Sequence, residues 1–326
     1  MPGMVDETAN LDVSIVIPLL NEVESLDELH TRITTVMEAT KLSFEIIFID
    51  DGSSDGSAAA LESISKADQR VNAIILKRNF GKSNALMVGF GLARGNVAVT
   101  MDADLQDLPE NIPILLEQKD YGLVSGWRKH RKDSFLKKTL SGLFNGLVNL
   151  FFGVNVKDIN CGFKAYKKDL YKSLLLYGDL HRMTLVLAKM EGFSFIEAPI
   201  EHAPRKHGHS KYPMFRARGI WDIMSLGMMQ SMQARPFHFF APYSVALLMI
   251  AACLFLYLLV LSMLGHGGYT LAHTLFMITT LLGVSFFLMG LQMEATQSVF
   301  MKDHQFNKTI RRIVGRNGNA GEKASR

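Results

Sequence analysis

The segment Asn96-Val97-Ala98-Val99-Thr100-Met101-Asp102-Ala103-Asp104 joins the end of a predicted strand to a pair of carboxylates. Its apolar part predicts a buried strand, and the two Asp side chains, at positions i and i+2, share one face of an extended chain. Paired carboxylates at a strand end suit a hard divalent cation such as Mg2+ or Mn2+. Because surface loops often carry Asp-x-Asp, the meaning of this pair depends on the rest of the chain.

Upstream of this segment, short apolar runs alternate with helical patterns. The rhythm predicts an α/β fold in which a mostly parallel sheet carries helices on both faces. Such sheets bind ligands at the carboxyl ends of their strands, and polar residues follow the predicted strands here. The strands are predicted at 13–18, 44–50, 71–76 and 96–101, and the helices at 24–40, 57–67 and 82–94.

The apolar residues of the chain concentrate in its last third. The 326 residues are 48% hydrophobic, with mean hydropathy +0.14 and net charge +4. Two runs, at 239–264 and 271–293, contain no Lys, Arg, Asp or Glu. Each exceeds the roughly 20 residues that cross a hydrocarbon core, so two transmembrane helices are predicted within 237–296 in preference to two buried core helices.

Charges that flank the two runs predict the orientation of the chain. The short connection between the runs has no Lys or Arg, whereas Arg235 precedes the first run and a basic tail at 297–326 follows the second. The positive-inside rule therefore predicts that the catalytic part and both termini are cytoplasmic, at an inner or cytoplasmic membrane. Two cysteines, Cys161 and Cys253, are too few for a disulfide framework, which fits a reducing compartment.

The remaining boundaries follow from composition. Residues 1–10 are polar, have no signal-peptide pattern and are predicted to be flexible. A cytoplasmic catalytic domain is predicted at 11–213, including an amphipathic interface helix at 135–152. A second amphipathic, juxtamembrane helix is predicted at 214–236.

Two glycine-containing loops in the first half carry candidate donor-binding residues. In the first, at 50–56, the Asp50 carboxylate could accept a hydrogen bond from a nucleobase N–H or a ribose hydroxyl. Ser53 and Asp55 equally fit a capped turn. In the second, Gly81 permits close backbone approach and Lys82 could reach a phosphate.

Three segments of the second half are candidates for binding the other substrate. Asp158 either orients an acceptor or acts as a base, and a loop cap explains it as well. The pair at 181–182 either binds substrate or begins a solvated helix. The basic loop from Arg205 to Tyr212 favours phosphate, since arginine offers a bidentate fork and lysine a point charge.

Together these motifs resemble the polyprenyl-phosphate glycosyltransferases of the dolichol-phosphate mannosyltransferase type, in glycosyltransferase family 2. The resemblance covers about 12–312. The matching pieces are SIVIPLLNE, IIFIDDGSSDGS, RNFGKSNAL, MDADLQDLPE, DINCGFKAY and the R-x-x-G-x-S-K-Y loop.

The resemblance implies a GT-A, Rossmann-like fold, a nucleotide-sugar donor, Mg2+ or Mn2+, a polyprenyl (undecaprenyl or dolichyl) monophosphate acceptor and contact with a lipid bilayer, without nucleic acid. The two-span architecture looks most like bacterial lipid-phosphate transferases, so a homo-oligomer such as a tetramer is expected. The candidate residues are Asp102, Asp104 and Asp158 for catalysis; Pro18, Asn21, Glu22, Asp50, Asp51, Lys82 and Asp102 for the donor; Arg128, Arg182, Arg205, Ser210 and Lys211 for phosphate and acceptor; and Asp104 and Gln106 for the metal.

The expected reaction is inverting transfer of a single sugar at the cytoplasmic membrane face. A UDP-hexose is the preferred donor, and GDP-mannose is its rival. A processive polysaccharide synthase fits less well, because the chain lacks a Gln-x-x-Arg-Trp motif. A non-catalytic scaffold or lipid-carrier translocator would leave the acidic and basic loops unexplained.

Overall fold

The computed structural model describes residues 11–129, 135–204, 224–228, 235–265 and 269–304, with backbone alone at 135–140 and 297–304. The chain divides into two compact units, Met1–Met224 and Ser225–Arg326. The predictions made for 1–10, for most of 214–236, for the tail beyond 304 and for the boundary near 213 lie outside the described residues. Of the predicted juxtamembrane helix, the structure describes a helical segment at 224–228 and residues 235–236, where the next helix begins.

A mixed sheet forms the centre of the first unit. Its order is β3-β2-β1-β4-β6-β5-β7, and β6 runs opposite to the other six described strands. The mostly parallel sheet expected from the sequence is therefore confirmed. The strands are β1 (Val13–Leu19), β2 (Phe44–Asp50), β3 (Val71–Ile75), β4 (Val97–Thr100), β5 (Leu123–Arg128), β6 (Lys164–Lys167) and β7 (Phe195–Ile200).

Helices cover both faces of this sheet, as the unbroken apolar strands require. Every residue of β1 and β2 is buried, which is typical of parallel strands covered on both sides. On one face, Ile17 belongs to a core cluster with Leu29. On the other face, a Cβ on Gly89 would lie 2.4 Å from Val16 Cγ1, so glycine permits close packing there.

The helices of the first unit connect these strands. Three of them, with α5, match the sequence predictions to within about two residues, apart from a 3-10 turn at Val23–Ser25 that precedes the first. The helices are α1 (Leu26–Thr40), α2 (Ser57–Ala67), α3 (Lys82–Leu92), α4 (Ile112–Leu116), α5 (Phe135–Phe152), α6 (Lys168–Ser173) and α7 (Thr184–Met190).

The order of the strands places a binding edge in the middle of the sheet. The chain proceeds from β1 to β2 and β3 on one side, and then returns to β4 on the other side of β1. Such a reversal opens a crevice at the carboxyl ends of the strands, which is where ligands bind in open α/β sheets. Since β6 is antiparallel, its first residue, Lys164, lies at this same edge.

The second unit contains two long helices, α8 (Pro236–Met263) and α9 (Thr270–His304). By length and composition, α8 and the first 27 residues of α9, Thr270–Thr296, are candidate membrane spans. They agree with the predicted two-helix hairpin, although α8 begins at Pro236 rather than at 239.

Small and polar residues hold the hairpin together. The Ser244 hydroxyl donates to the Gly283 carbonyl at 2.8 Å, and a Cβ on Gly283 would lie 2.8 Å from Leu248 Cγ. Close approach at small residues with an interhelical hydrogen bond is typical of membrane helix pairs. Glu294 Oε2 accepts the Phe237 N–H at 3.1 Å, which satisfies a donor in the first turn of α8.

Candidate active site

The loops after β1 and β2 are joined by hydrogen bonds between side chains and backbone. The Asn21 N–H donates to Ser53 Oγ at 2.7 Å, and Asn21 Oδ1 accepts the Ser54 N–H at 2.8 Å. Asp55 Oδ2 accepts the Val23 N–H at 3.0 Å. Ser53 and Asp55 thus do more than cap a turn, because each ties the second loop to the first.

Asp50 lies at the carboxyl end of β2 and is fully buried. Its Oδ1 accepts the Ser53 N–H at 2.9 Å. Within the part of the chain that the structure describes, Asp50 Oδ2 is also buried and has no hydrogen-bond partner. A buried carboxylate oxygen without a donor is costly, and an N–H or O–H of a ligand would satisfy it.

Asp51, the next residue, is bound to the protein itself. Its two oxygens accept the Phe80 N–H at 2.7 Å and the Gly81 N–H at 2.8 Å. Gly52 lets the two loops lie close together, since a Cβ on Gly52 would lie 2.6 Å from the Arg78 carbonyl carbon. Asp51 therefore holds the loop that leads into α3, and its predicted contact with the donor stays a prediction.

Lys82 begins α3 and forms an ion pair with Asp102, the first carboxylate after β4. Gly162 lies directly against this pair: a Cβ there would be 3.2 Å from Lys82 Nζ and 3.4 Å from each Asp102 carboxylate oxygen. The Thr100 hydroxyl donates to the Gly162 carbonyl at 2.7 Å and holds it in place. Two predicted donor residues, far apart in sequence, are therefore in direct contact.

The acidic loop continues from Asp102 to Asp107. Asp104 Oδ1 accepts the Gln106 N–H at 3.1 Å, and Asp107 Oδ2 accepts the Asp102 N–H at 3.1 Å. Burial and then the nearby charge of Asp102 raise the pKa of Asp107 to about 7. The Ala203 N–H donates to the Gln106 carbonyl at 3.0 Å, so the segment that leads to Arg205 runs beside this loop.

Arg128 and Asp158 form a bidentate pair at the same edge. Arg128 Nε and Nη2 donate to the two Asp158 oxygens at 2.7 and 2.9 Å. The Asp158 side chain is only 3% exposed, and the Asp158 N–H donates to Glu197 on β7 at 2.8 Å. This fork makes Asp158 a residue that positions Arg128. Its predicted role as a base stays a prediction. To accept a proton, an Asp158 oxygen would first have to give up its hydrogen bond from Arg128.

A divalent cation fits the chemistry of the acidic loop only if the protein shares its coordination with substrate phosphates and water. In the described ranges, no three His, Cys, Asp or Glu side chains are grouped so that they could hold a metal. Asp102 and Asp104 nevertheless offer hard oxygen donors at one strand end. Mg2+ and Mn2+ commonly use one or two carboxylates together with substrate phosphates and water, and these residues fit that pattern.

The other predicted residues fall into two groups. Pro18, Glu22 and Arg182 are described, and Arg182 is half-buried at the end of a 3-10 turn, Leu180–Arg182. Beside it, His181 Nδ1 lies 3.0 Å from the Ser83 hydroxyl, so the 180–182 turn packs on the start of α3. Arg205, Ser210 and Lys211 lie outside the described residues.

Comparison with known proteins agrees with this arrangement. The family described as Glycosyl transferase family 2 matches residues 14–175. The undecaprenyl-phosphate 4-deoxy-4-formamido-L-arabinose transferase of Edwardsiella ictaluri is 35% identical over 287 residues, 86% of each chain. The chain belongs to glycosyltransferase family 2. The dodecaprenyl-phosphate galacturonate synthase of Rhizobium johnstonii is a second relative of this family 2 chain, 34% identical over 264 residues and 78% of each chain.

Solved structures show the same fold at low sequence identity. The mannosyl-3-phosphoglycerate synthase from Rubrobacter xylanophilus has a TM-score of 0.52 and 18% identity, covering 68% of the family 2 chain and 75% of its own. The glucosyl-3-phosphoglycerate synthase from Mycobacterium tuberculosis, in complex with Mn2+, UDP-glucose and phosphoglyceric acid, has a TM-score of 0.51 and 17% identity, covering 71% and 83%. The GT-A fold expected from the resemblance is thereby confirmed.

Sequence reasoning missed several residues of the family 2 site. Asp107 was visible only as an extension of the acidic loop, and its burial against Asp102 had no signal in the pattern. Gly162 and Lys164 belong to a loop and strand whose antiparallel placement the alternating pattern does not reveal. Arg128 and Asp158 were separate candidates, and nothing in their spacing indicated that they pair.

Proposed function

We propose that this chain transfers a single sugar, with inversion, from a nucleoside diphosphate to a polyprenyl monophosphate. The names of both relatives contain a polyprenyl phosphate and a sugar, and they support this substrate class. The observation that carries the proposal is the grouping, at one sheet edge, of the buried Asp50 oxygen, the acidic loop and the Lys82–Asp102 pair.

The donor nucleotide is assigned to the ends of β1 and β2. Asp50 Oδ2 is an acceptor for a base N–H, and the joined loops at Asn21 and Ser53 give that pocket a fixed wall. A uracil N–H suits a single carboxylate oxygen, so a UDP-hexose is the proposed donor. Guanine also presents N–H donors, so a GDP-mannose-dependent polyprenyl-phosphate mannosyltransferase is the alternative.

The chemistry requires charge stabilisation more than proton removal. A phosphate monoester has a second pKa near 6 and is ionised at neutral pH, so an acceptor oxygen attacks the sugar carbon without a strong base. The bond to the diphosphate oxygen breaks as the new bond forms on the opposite face. A Mg2+ or Mn2+ ion held by Asp104 and Gln106 would neutralise charge on the departing diphosphate.

Basic side chains of the same edge are assigned to the phosphates. We assign Lys82 to the diphosphate, for which it would exchange Asp102. We assign Arg128 to a phosphate, which it would bind with the part of its guanidinium group that does not donate to Asp158. The half-buried Arg182 is a further candidate for the acceptor phosphate. We assign Arg205, Ser210 and Lys211 to the acceptor on sequence grounds.

Membrane contact is proposed on two grounds. The candidate spans of α8 and α9 are flanked by basic residues, which supports a cytoplasmic catalytic domain in an inner or cytoplasmic membrane. On α5, Leu143, Leu150 and Phe151 are exposed, which supports contact of this helix with lipid. Assembly as a homo-oligomer stays a prediction.

A transfer assay tests the proposal directly. Full-length protein in detergent is mixed with Mn2+ or Mg2+, undecaprenyl phosphate and labelled UDP- or GDP-sugars, and the label in the lipid phase is counted. We expect lipid-linked sugar from one nucleotide class. Absence of transfer from every nucleotide sugar would overturn the proposal, and donor binding without transfer would favour the scaffold alternative.

A further inference from the structure

Lys164 is a fully buried lysine at the candidate active site that no step above uses. It is the first residue of β6 and is 1% exposed. It pairs with Thr100 of β4 on one side and Ser125 of β5 on the other. Immediately before it runs the segment 158–163, here called the Asp158 loop.

Contacts of the Lys164 ammonium link this loop to a neighbouring helix. Nζ donates to Thr184 Oγ1 at 2.7 Å, at the start of α7, and lies 3.5 Å from the Ile159 carbonyl oxygen. Other bonds hold the end of the loop, since the Gly126 N–H of β5 donates to the Phe163 carbonyl at 2.8 Å. Two side chains therefore contact the loop between its ends: Lys164 at the Ile159 carbonyl and Thr100 at the Gly162 carbonyl.

The charges around Lys164 are those of the proposed active site. Apart from the effect of burial, the carboxylate of Asp158 favours the charged form of Lys164, whereas Lys82 and Arg128 oppose it. Burial is the largest effect and lowers the pKa of Lys164 to about 8. A buried charge is weak evidence for stabilisation, because removal of such a group from water is costly.

We propose that Lys164 is a positioning residue for sugar transfer, which keeps Gly162 and Asp158 of the Asp158 loop against Asp102 and Arg128. The inference rests on the proposed function for its effect on turnover. Its effect on the loop can be measured without any substrate. Charge-assisted donation from the ammonium is stronger than donation from a neutral amine. The loop is thus held more tightly below pH 8 than above it.

The activity test compares two lysines. Lys164→Met removes the ammonium and keeps a side chain of similar length. Lys172→Met is the matched control, because Lys172 Nζ also donates to backbone carbonyls, of Phe90 and Gly91, but at the opposite end of α3. We expect Lys164→Met to lower kcat by about tenfold with little change in donor KM, since small misplacements of reacting groups are costly. Lys172→Met keeps the wild-type kcat.

The pH profile gives a readout that a general loss of packing would not produce. Wild-type kcat should fall as pH rises through about 8, where Lys164 loses its proton. In Lys164→Met, kcat should be lower than in the wild type and should not fall as the pH rises through about 8. An unchanged profile in the variant would contradict the proposal.

A native cysteine reports on the loop independently of transfer. Cys161 lies in the Asp158 loop and is 2% exposed, and the exposed Cys253 is removed by Cys253→Ala. A thiol reagent then labels Cys161 only when the loop opens. We expect faster labelling in Lys164→Met and no change in Lys172→Met. Loss of a nearby positive charge would by itself slow labelling, so a faster rate indicates opening.

These measurements separate the two proposals. If the wild type transfers no sugar while Cys161 labelling responds to Lys164→Met, the proposed function fails and the positioning of the loop stands. If the wild type is active and Lys164→Met matches it in kcat, pH profile and labelling, the positioning role is wrong. Equal losses in both lysine variants would show a general effect on folding and also overturn it.

Discussion

The two halves of the candidate site are held together by different forces. The half proposed to bind the nucleoside, here called the donor half, is formed by the loops after β1, β2 and β3 and relies on hydrogen bonds from backbone N–H groups to Asn, Ser and Asp side chains. The half proposed to bind the diphosphate, the metal and the acceptor, here called the acceptor half, is formed by the acidic loop, Arg128 and the Asp158 loop and relies on ion pairs and buried charge. Among the described residues, the donor half leaves one buried carboxylate oxygen, Asp50 Oδ2, without a hydrogen-bond partner. The ion pairs of the acceptor half would rearrange if phosphates bound there.

The difference follows from topology. The donor half uses only the carboxyl ends of parallel strands, so consecutive βα loops meet without further help. The acceptor half needs β6, which runs in the opposite direction and brings the start of a strand to that edge. We therefore expect substitutions in the donor half to act on donor affinity and those in the acceptor half to act on turnover.

Asp104→Ala should have the largest effect, because Asp104 is proposed to hold the metal that serves both halves. We expect transfer to fall by about 10²–10³-fold or more with the fold intact, since charge stabilisation at the leaving group is lost. The measurement is label transfer together with thermal unfolding. Asp120→Ala, at an exposed turn, is the control and should keep full activity. Full activity in Asp104→Ala would remove the metal role.

Asp50→Asn should affect the donor half alone. Because Oδ1 accepts the Ser53 N–H, the NH2 of Asn would take the position of the buried Oδ2, which has no described partner. A donor would then replace an acceptor, and a base N–H would lose its charged partner. Hydrogen bonds to charged groups contribute about 1.5–3 kcal/mol, so we expect donor affinity to fall about 10–100-fold. Nucleotide titration by calorimetry measures this.

Asp51→Asn sharpens the same test. Both Asp51 oxygens accept backbone N–H groups of the loop before Lys82, so the amide variant loses one of them and disturbs Lys82. Nucleotide affinity should fall less than in Asp50→Asn, while kcat falls more. The reverse order would break the proposed division between base recognition and loop support.

Gly162→Ala should affect the acceptor half through a single methyl group. The new Cβ would lie 3.2 Å from Lys82 Nζ, closer than ordinary contact, so the Lys82–Asp102 pair must shift. We expect kcat to fall by about three- to tenfold. Donor affinity should fall as well, because Lys82 and Asp102 are both assigned to the donor. Gly91→Ala in α3 is the matched control, because a Cβ there meets nothing within 4 Å. A fall in donor affinity without a fall in kcat would contradict the assignment of Gly162 to the acceptor half.

The donor half could be predicted from sequence largely because its signals are local. Apolar runs followed by polar residues predicted the ends of β1, β2 and β4, and the loop at 50–56 indicated Asp50, whose contact with the donor stays a prediction. The roles of Asp50 and Asp51 were not separable, because the adjacent residues differ only in which direction each side chain points. An alternating strand geometry sends neighbours to opposite sides, and the structure shows which one meets the backbone of the next loop.

The acceptor half was less predictable because its contacts join distant segments. Arg128 and Asp158 are 30 residues apart, and Lys82 and Asp102 are 20 apart. The sequence did not indicate Lys164 as a candidate, because lysine is rarely buried and a lysine in a short strand is expected to be solvent-exposed. The position of β6 between β4 and β5 depends on tertiary contacts, which the sequence of β6 alone does not reveal.

Asp68→Asn should have the smallest effect and should spare both halves. Asp68 lies just before β3, at the opposite edge of the sheet, where Arg70 Nε donates to its Oδ1 at 2.9 Å and His30 Nε2 lies 3.0 Å from Oδ2. The hydrogen bond from Arg70 holds the pKa of Asp68 well below its usual range. We expect a loss of about 1 kcal/mol in stability near neutral pH, as for partly exposed ion pairs, and unchanged transfer.

The pH dependence of that loss has a definite sign. A carboxylate whose pKa is lower in the folded state contributes its stability above the unfolded pKa of about 3.9, and the contribution is lost as pH falls below that value. Thermal unfolding of full-length protein in detergent should therefore show the wild type above Asp68→Asn at neutral pH, with the gap narrowing below about pH 4. A gap that widens in acid would contradict the assigned pKa shift, and a fall in transfer would show that this distant network reaches the donor half.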